Sequence, residues 1–247
     1  MSAKESGVEN IVMTAEVEKQ AESFDILLFD LDGTLYSADC GYVEHTRSNI
    51  FEYIYQRGWV PRDESAEDYW RPKFQKYHQS LRCWKATGHE IPNEDEYWNF
   101  TRQGVEKFLN KDLKLISFLE SLPKHSKKYI FTNCNEIEAI KALECLGVRE
   151  HFDDFIYGCK FMGNYCKPEI EAFEAVLNHI DPLNNINRNR ICMFEDSYKN
   201  CVAANKIGFS TVFIESKLSA GEEGVSNEDR KILTATVDTL SDEDGVI

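Results

Sequence analysis

The sequence predicts an α/β protein: a doubly wound sheet of parallel strands, interrupted after its first strand by a small all-helical insert. Three observations carry this. Asp25-Ile26-Leu27-Leu28 is a short apolar run of the length of a buried strand. From residue 112 onward, short apolar runs alternate with helix-length periodic segments, the pattern of parallel strands joined by right-handed crossovers. Between these regions, residues 37–111 hold all four tryptophans and apolar residues spaced three and four apart, with no strand interleaved.

The chain therefore divides into a tail (1–22), a sheet domain (23–36 and 112–247) and a helical insert (37–111). The tail is polar and lacks a sustained apolar period, so disorder is expected there. Within the insert, Ile50, Tyr53 and Ile54, then Tyr69, Trp70, Phe74 and Tyr77, recur at helical spacing and predict about four helices. The insert's aromatics either pack on one another or offer a face to a ligand.

Beyond the insert, a helix runs from about Asp112 to Ser121 and is stopped by Pro123. Lys128-Tyr129-Ile130-Phe131 is a strand ending at Thr132-Asn133. A helix from Glu136 to Leu146 is closed by Gly147. Phe152 to Tyr157 reads as a strand, and Pro168 opens a helix reaching Ile180. Arg190 to Phe194 is a strand ending at Glu195-Asp196-Ser197; a helix follows to Ile207 and ends at Gly208. Thr211 to Ile214 is a strand, 217–233 reads as a mobile loop, and Ala235-Thr236-Val237 as a last edge strand.

Composition narrows the function. A net charge of −15 argues against nonspecific binding to nucleic acid or anionic membranes. No apolar run has the length of a membrane span, and residues 1–22 lack the basic-then-apolar pattern of a secretory leader. The eight cysteines form no CxxC pair and several lie in apolar runs, which reads as reduced thiols of a cytoplasmic protein.

The chemistry gathers at the predicted strand ends. In an extended chain Asp30 and Asp32 point to the same side, into the crevice beyond the carboxyl end of the first strand. Gly33 permits a sharp turn directly after them. Two anions held so close call for a cation or a shared proton. Thr132-Asn133 offers a hydroxyl and main-chain N–H groups suited to a phosphate. Lys167 could neutralise a phosphoryl oxygen, and Glu195-Asp196 supplies hard oxygens suited to Mg²⁺. Each group alone also has a bland reading: a solvated Asp-Gly turn, a helix cap, a surface lysine, an acidic helix start. Together they place an acid pair, a hydroxyl, a lysine and a second acid pair after successive strands of one sheet.

That ordered set resembles the haloacid dehalogenase-like (HAD) phosphatase superfamily, with motifs at Asp30-Leu31-Asp32-Gly33-Thr34, Thr132, Lys167 and Glu195-Asp196 over residues 24 to about 216. The resemblance implies a Rossmann-like core with a helical cap of the first type. More narrowly, Asp32-Gly33-Thr34-Leu35-Tyr36, Phe131-Thr132-Asn133, Cys166-Lys167-Pro168 and Glu195-Asp196-Ser197 with Asn200, Ala203 and Gly208 resemble the pyrimidine 5′-nucleotidases of yeast and plant type, as does Tyr77 to Leu81 in the cap. Glu195 departs from the Asp of many members and Gly33 from the asparagine of some. The resemblance implies Asp30 as nucleophile and Asp32 as general acid and base. It implies Mg²⁺ on Asp30, the carbonyl of Asp32 and Asp196, with Glu195 behind. Thr132, Asn133 and Lys167 would hold the phosphoryl group of a small phosphorylated metabolite, foremost a nucleoside monophosphate. A phosphatase or phosphomutase for another small phosphomonoester (sugar phosphate, phosphoglycolate, lysophospholipid) shares these motifs. A carbon–halogen hydrolase would usually lack an acid at position 32, and a noncatalytic phospho-ligand module would not need every motif.

Overall fold

The structure, a computed structural model, describes residues 24–215 and the backbone of 235–237. The tail of 1–22 and the loop of 217–233 lie outside the described residues. Six parallel strands form one sheet in the order β3-β2-β1-β4-β5-β6. They are β1 (Ile26–Phe29), β2 (Lys127–Phe131), β3 (Ile156–Tyr157), β4 (Ile191–Glu195), β5 (Ser210–Ile214) and β6 (Ala235–Val237). The chain builds outward from β1 to β3, then returns to the other side of β1 for β4. The reversal between β1 and β4 is where open α/β sheets form their binding crevice.

Strand periodicity sorts the core into two layers. Leu27 and Phe29 face a cluster with Leu115, Phe118 and Leu119 of α5 (Leu113–Ser121) and Ala139, Ala142 and Leu143 of α6 (Glu136–Leu146). Ile26 and Leu28 face Phe173, Val176 and Leu177 of α8 (Ile170–Ile180) and Ala203 and Ala204 of α9 (Tyr198–Lys206). A strand covered on both faces must be apolar throughout, which is why β1 reads as a continuous run rather than an alternation.

Between β1 and α5 lie α1 (Tyr42–Gln56), α2 (Ala66–Tyr77), α3 (Ser80–Ala86) and α4 (Glu94–Arg102). They share a core of their own, with Ile50, Ile54, Trp70, Leu81, Trp84, Tyr97 and Trp98 buried together. Among the described residues, no helix is long and apolar enough to cross a membrane. All eight cysteines are free thiols.

Two elements differ from the sequence reading. The strand expected from Phe152 is in regular register with β2 at Ile156 and Tyr157, with Asp153 N–H reaching the Lys128 carbonyl (2.8 Å) ahead of it. The Arg149 guanidinium donates to the carbonyls of Phe152, Asp153 and Asp154 at 3.2 Å each, which draws those groups away from the ladder. Pro168 does not open α8; the helix starts at Ile170, with Glu169 at its N-cap. Residues 166–169 form a tight turn, closed by Glu169 N–H to the Cys166 carbonyl (2.9 Å) and Cys166 N–H to Glu169 Oε2 (3.0 Å). A further short helix, α7 (Cys159–Met162), precedes that turn between Gly158 and Gly163.

Candidate active site

The crevice at the carboxyl ends of β1, β2 and β4 holds a buried cluster of opposite charges. Asp30 directly follows β1, and its N–H donates to the Phe194 carbonyl (2.9 Å), so the ladder to β4 fixes its backbone. Lys167 is 1% exposed, and its ammonium donates three hydrogen bonds: to Asp30 Oδ1 (2.6 Å), Glu195 Oε2 (2.7 Å) and the Phe131 carbonyl (2.7 Å). An ammonium has three protons, and all are engaged here. Burial alone would drive the lysine toward neutrality, but the charges of Asp30 and Glu195 outweigh it and hold the ammonium more firmly than usual.

The loop carrying Lys167 is held by Asn133. Its Oδ1 accepts from Lys167 N–H and its Nδ2 donates to the Lys167 carbonyl, both at 2.9 Å. The Asn133 side chain therefore positions the lysine, and its main chain is the part left for the phosphate contact expected from the sequence. Thr132, also almost wholly buried, accepts from Cys134 N–H at its hydroxyl (3.1 Å) and keeps its own proton to donate. The helical insert rests on this region: Gln79 donates to the Asn133 carbonyl (2.7 Å), and Arg82 pairs with both carboxylate oxygens of Glu169 (2.8 and 2.9 Å).

Asp30, Glu195 and Asp196 are all buried, and each offers an oxygen within 4.8 Å of the others. Burial first and the Glu195 charge second push the Asp30 carboxyl up to about 7, against the charge and hydrogen bond of Lys167. Asp196 is raised by the same two causes, burial first and Glu195 next. Carboxylates that resist ionisation together are what a divalent cation relieves. The donor set is hard oxygen, as Mg²⁺ requires, so the residues present fit that ion. Both Glu195 oxygens are engaged: Oε2 takes the lysine and Oε1 accepts from Ser197 N–H (3.1 Å). Gly33 completes the fit: its φ is +84°, and a Cβ there would lie 2.1 Å from Asp196 Oδ2.

Asp32 has different company. Arg102, the last residue of α4 and 5% exposed, donates from both terminal nitrogens to the two Asp32 oxygens (2.6 and 3.0 Å). The Tyr36 hydroxyl also donates to Asp32 Oδ1. Burial would raise Asp32, but the guanidinium charge and hydrogen bonds prevail and hold it below the usual carboxylate range. The structure thus brings Asp30, Lys167, Glu195 and Asp196 into one cluster and sets Asp32 against Arg102 beside it. Sequence reading missed Arg102 and the part played by Tyr36. Nothing in the local sequence marks Arg102, which pairs across 70 positions of chain.

A family model for haloacid dehalogenase-like hydrolases matches residues 24–208, which span the whole cluster. The chain belongs to the haloacid dehalogenase-like hydrolases. Among curated relatives it is 27% identical over 165 residues to phosphate metabolism protein 8 of Saccharomyces cerevisiae, covering 61% of this chain and 50% of that protein. The chain thus spans about half the length of that relative. Two solved HAD-like structures share the fold. A HAD phosphatase from Thermococcus onnurineus has a TM-score of 0.58 at 16% identity, covering 88% of this chain and 94% of that one. A predicted phosphoglycolate phosphatase from Haemophilus somnus 129PT has 0.57 at 18%, covering 89% and 96%.

Of the two readings of the insert's aromatics, the tryptophans follow the first and pack in the interior of the insert. Trp84 is fully buried, Trp70 and Trp98 nearly so, and Trp59 packs on Trp84 with ring centroids 4.9 Å apart.

Proposed function

We propose that this chain is a Mg²⁺-dependent phosphomonoesterase that forms an aspartyl-phosphate on Asp30 and acts on nucleoside 5′-monophosphates, pyrimidine ones foremost. The observation that carries the reading is the Asp30–Lys167–Glu195 cluster with Asp196 beside it at the strand ends. The substrate class rests on the motif resemblance alone.

In the first step an Asp30 oxygen attacks phosphorus. The bond from phosphorus to the leaving oxygen breaks, and the Asp32 carboxyl gives its proton to that oxygen. In the second step water attacks the acyl phosphate and passes a proton to Asp32; the bond from Asp30 to phosphorus breaks, and inorganic phosphate leaves. Lys167 orients Asp30 and offsets the charge of the transferring group. The Thr132 hydroxyl and the main chain of Asn133 face the phosphoryl oxygens. Asp30, Asp196 and the Asp32 carbonyl would hold Mg²⁺, which would supply Lewis-acid charge neutralisation at the phosphoryl group. The helical insert serves as the cap over this crevice.

A screen of nucleotide and sugar phosphates for phosphate release, with Mg²⁺ or with excess chelator, tests the reading. Release should depend on Mg²⁺, with kcat/KM for UMP and CMP above AMP, GMP and ribose 5-phosphate. Undiminished release in chelator rejects the metal; equal rates for UMP and ribose 5-phosphate reject the nucleotide.

A further inference from the structure

We infer that His78 is a specificity-determining residue: its imidazole stands where the helical insert meets the crevice and reads hydroxyl groups on the alcohol esterified to the phosphate. The inference rests on the phosphomonoesterase reading above and deepens it.

His78 lies in the joint between α2 and α3. Its N–H donates to the Phe74 carbonyl (2.8 Å) and closes α2, with a φ of +58°. Among the described residues, His78 and Asn184 are the non-glycine residues with positive φ. That left-handed conformation crowds a side chain, and glycine is the usual residue to end a helix this way. The chain thus carries a ring where its backbone favours none.

The main chain of this joint is pinned to the two loops proposed to hold the phosphoryl group. Gln79 Nε2 donates to the Asn133 carbonyl (2.7 Å), and Asn133 Nδ2 reaches the His78 carbonyl (3.5 Å). Cys166 Sγ donates to the Tyr77 carbonyl (3.3 Å). Asn133 follows Thr132 and Cys166 precedes Lys167. His78 is therefore anchored beside the place where the esterified alcohol begins.

The fold itself makes no use of the ring. It is half-buried, yet among the described residues it has neither a hydrogen-bond partner nor a ring contact. The rings of His45, His89 and His179, by contrast, meet Gln103, Tyr69 and Tyr157. The charges that act on the His78 ring come from both sides of the crevice: Lys199 in α9 and Glu169 in the Lys167 turn from the sheet domain, Arg82 in α3 from the insert. Burial first and Lys199 second hold the imidazole below its usual range, against Glu169. A neutral imidazole carries one donor and one acceptor, and a hydroxyl carries both as well. Phosphoryl oxygens only accept, and Thr132 and Lys167 answer them. A ring kept for packing would have packing partners, and glycine in its place would relax the backbone without losing a hydrogen bond.

The test compares UMP, or the best ester of the screen, with its analogue lacking the sugar hydroxyls. Wild type should prefer the hydroxyl-bearing ester in kcat/KM. For His78→Gly, KM on that ester should rise on the order of tenfold with kcat within about twofold, the pattern of lost binding rather than lost chemistry. On the analogue kcat/KM should stay within about twofold, so the preference collapses. The thermal midpoint should hold or rise, since glycine suits the left-handed turn. Should His78→Gly fail to fold, His78→Asn decides by the same comparison, because asparagine tolerates this backbone and its shorter amide falls short of the ring's reach. No preference in wild type, equal losses on both esters, or no loss on either overturns the inference and leaves the phosphatase reading standing. A wild type silent on every phosphate ester overturns both.

Discussion

Asp30 and Asp32 are the same residue type, two apart on one loop, and each is paired with a buried cation; yet the two carboxyls are driven in opposite directions. Asp30 shares Lys167 with Glu195 and is pushed up to about 7, burial acting first and the neighbouring carboxylate second. Asp32 has Arg102 to itself and is held below its ordinary value against the same burial. The lesson is that the ratio of cations to carboxylates sets the role. One lysine among Asp30, Glu195 and Asp196 leaves a deficit of positive charge that a divalent cation would relieve. One guanidinium on one carboxylate leaves none, and Asp32 is held as an anion with its own counter-charge.

Removing each side of this comparison should cost differently. The largest effect is expected from Asp30→Asn, which keeps the shape, removes the proposed nucleophile and takes one carboxylate from the acidic cluster. Turnover should drop about a thousandfold or more, equivalent to roughly 4 kcal/mol of barrier. A variant retaining over about a tenth of wild-type rate would remove Asp30 from its role.

Next comes Lys167→Met, which leaves two buried carboxylates without their counter-charge. We expect kcat to fall on the order of a hundredfold and stability to fall by about 3 kcal/mol. Thermal denaturation should show added Mg²⁺ recovering part of that loss, since the ion answers the same charge deficit. No recovery would mean that the metal and the lysine do not share the cluster.

Smallest is Gly33→Ala, which touches the metal side alone. A methyl group there meets Asp196 and strains a left-handed backbone, at a cost of about 1–2 kcal/mol. The concentration of Mg²⁺ for half-maximal activity should rise roughly tenfold, with kcat at saturating Mg²⁺ nearly kept. A large loss in kcat with unchanged Mg²⁺ dependence would place Gly33 in the chemistry of Asp32 instead.

Much of the sheet and of the Asp30 cluster was legible because strand ends are local signals. A buried run such as Ile26–Phe29 announces its own termination, and the residue that follows is placed in the crevice by topology. Lys167 was legible from the Cys166-Lys167-Pro168 motif, although its local structure was not: the turn around Pro168 depends on Glu169 folding back to Cys166, a contact that no proline rule anticipates. What sequence could not reach was anything set by the insert's packing. Four tryptophans in 37–111 look alike on paper; only the packing of α1 to α4 shows them turned inward. Arg102 reads as one more charged residue at a helix end until α4 is laid beside the acid loop.

The Asn133 side chain has a further consequence. Its amide meets the main chain of Lys167 as one peptide group meets another across a sheet, one N–H given and one accepted. The lysine lies in a turn, outside every strand, yet it is registered to the end of β2 by a rung made from a side chain. Because that rung starts two residues beyond Phe131, whose own carbonyl takes the lysine's ammonium, backbone and side chain of Lys167 are indexed to the same strand end. The turn may vary in length or composition elsewhere without the ammonium losing its place, so the catalytic alignment is inherited from the sheet rather than from the loop.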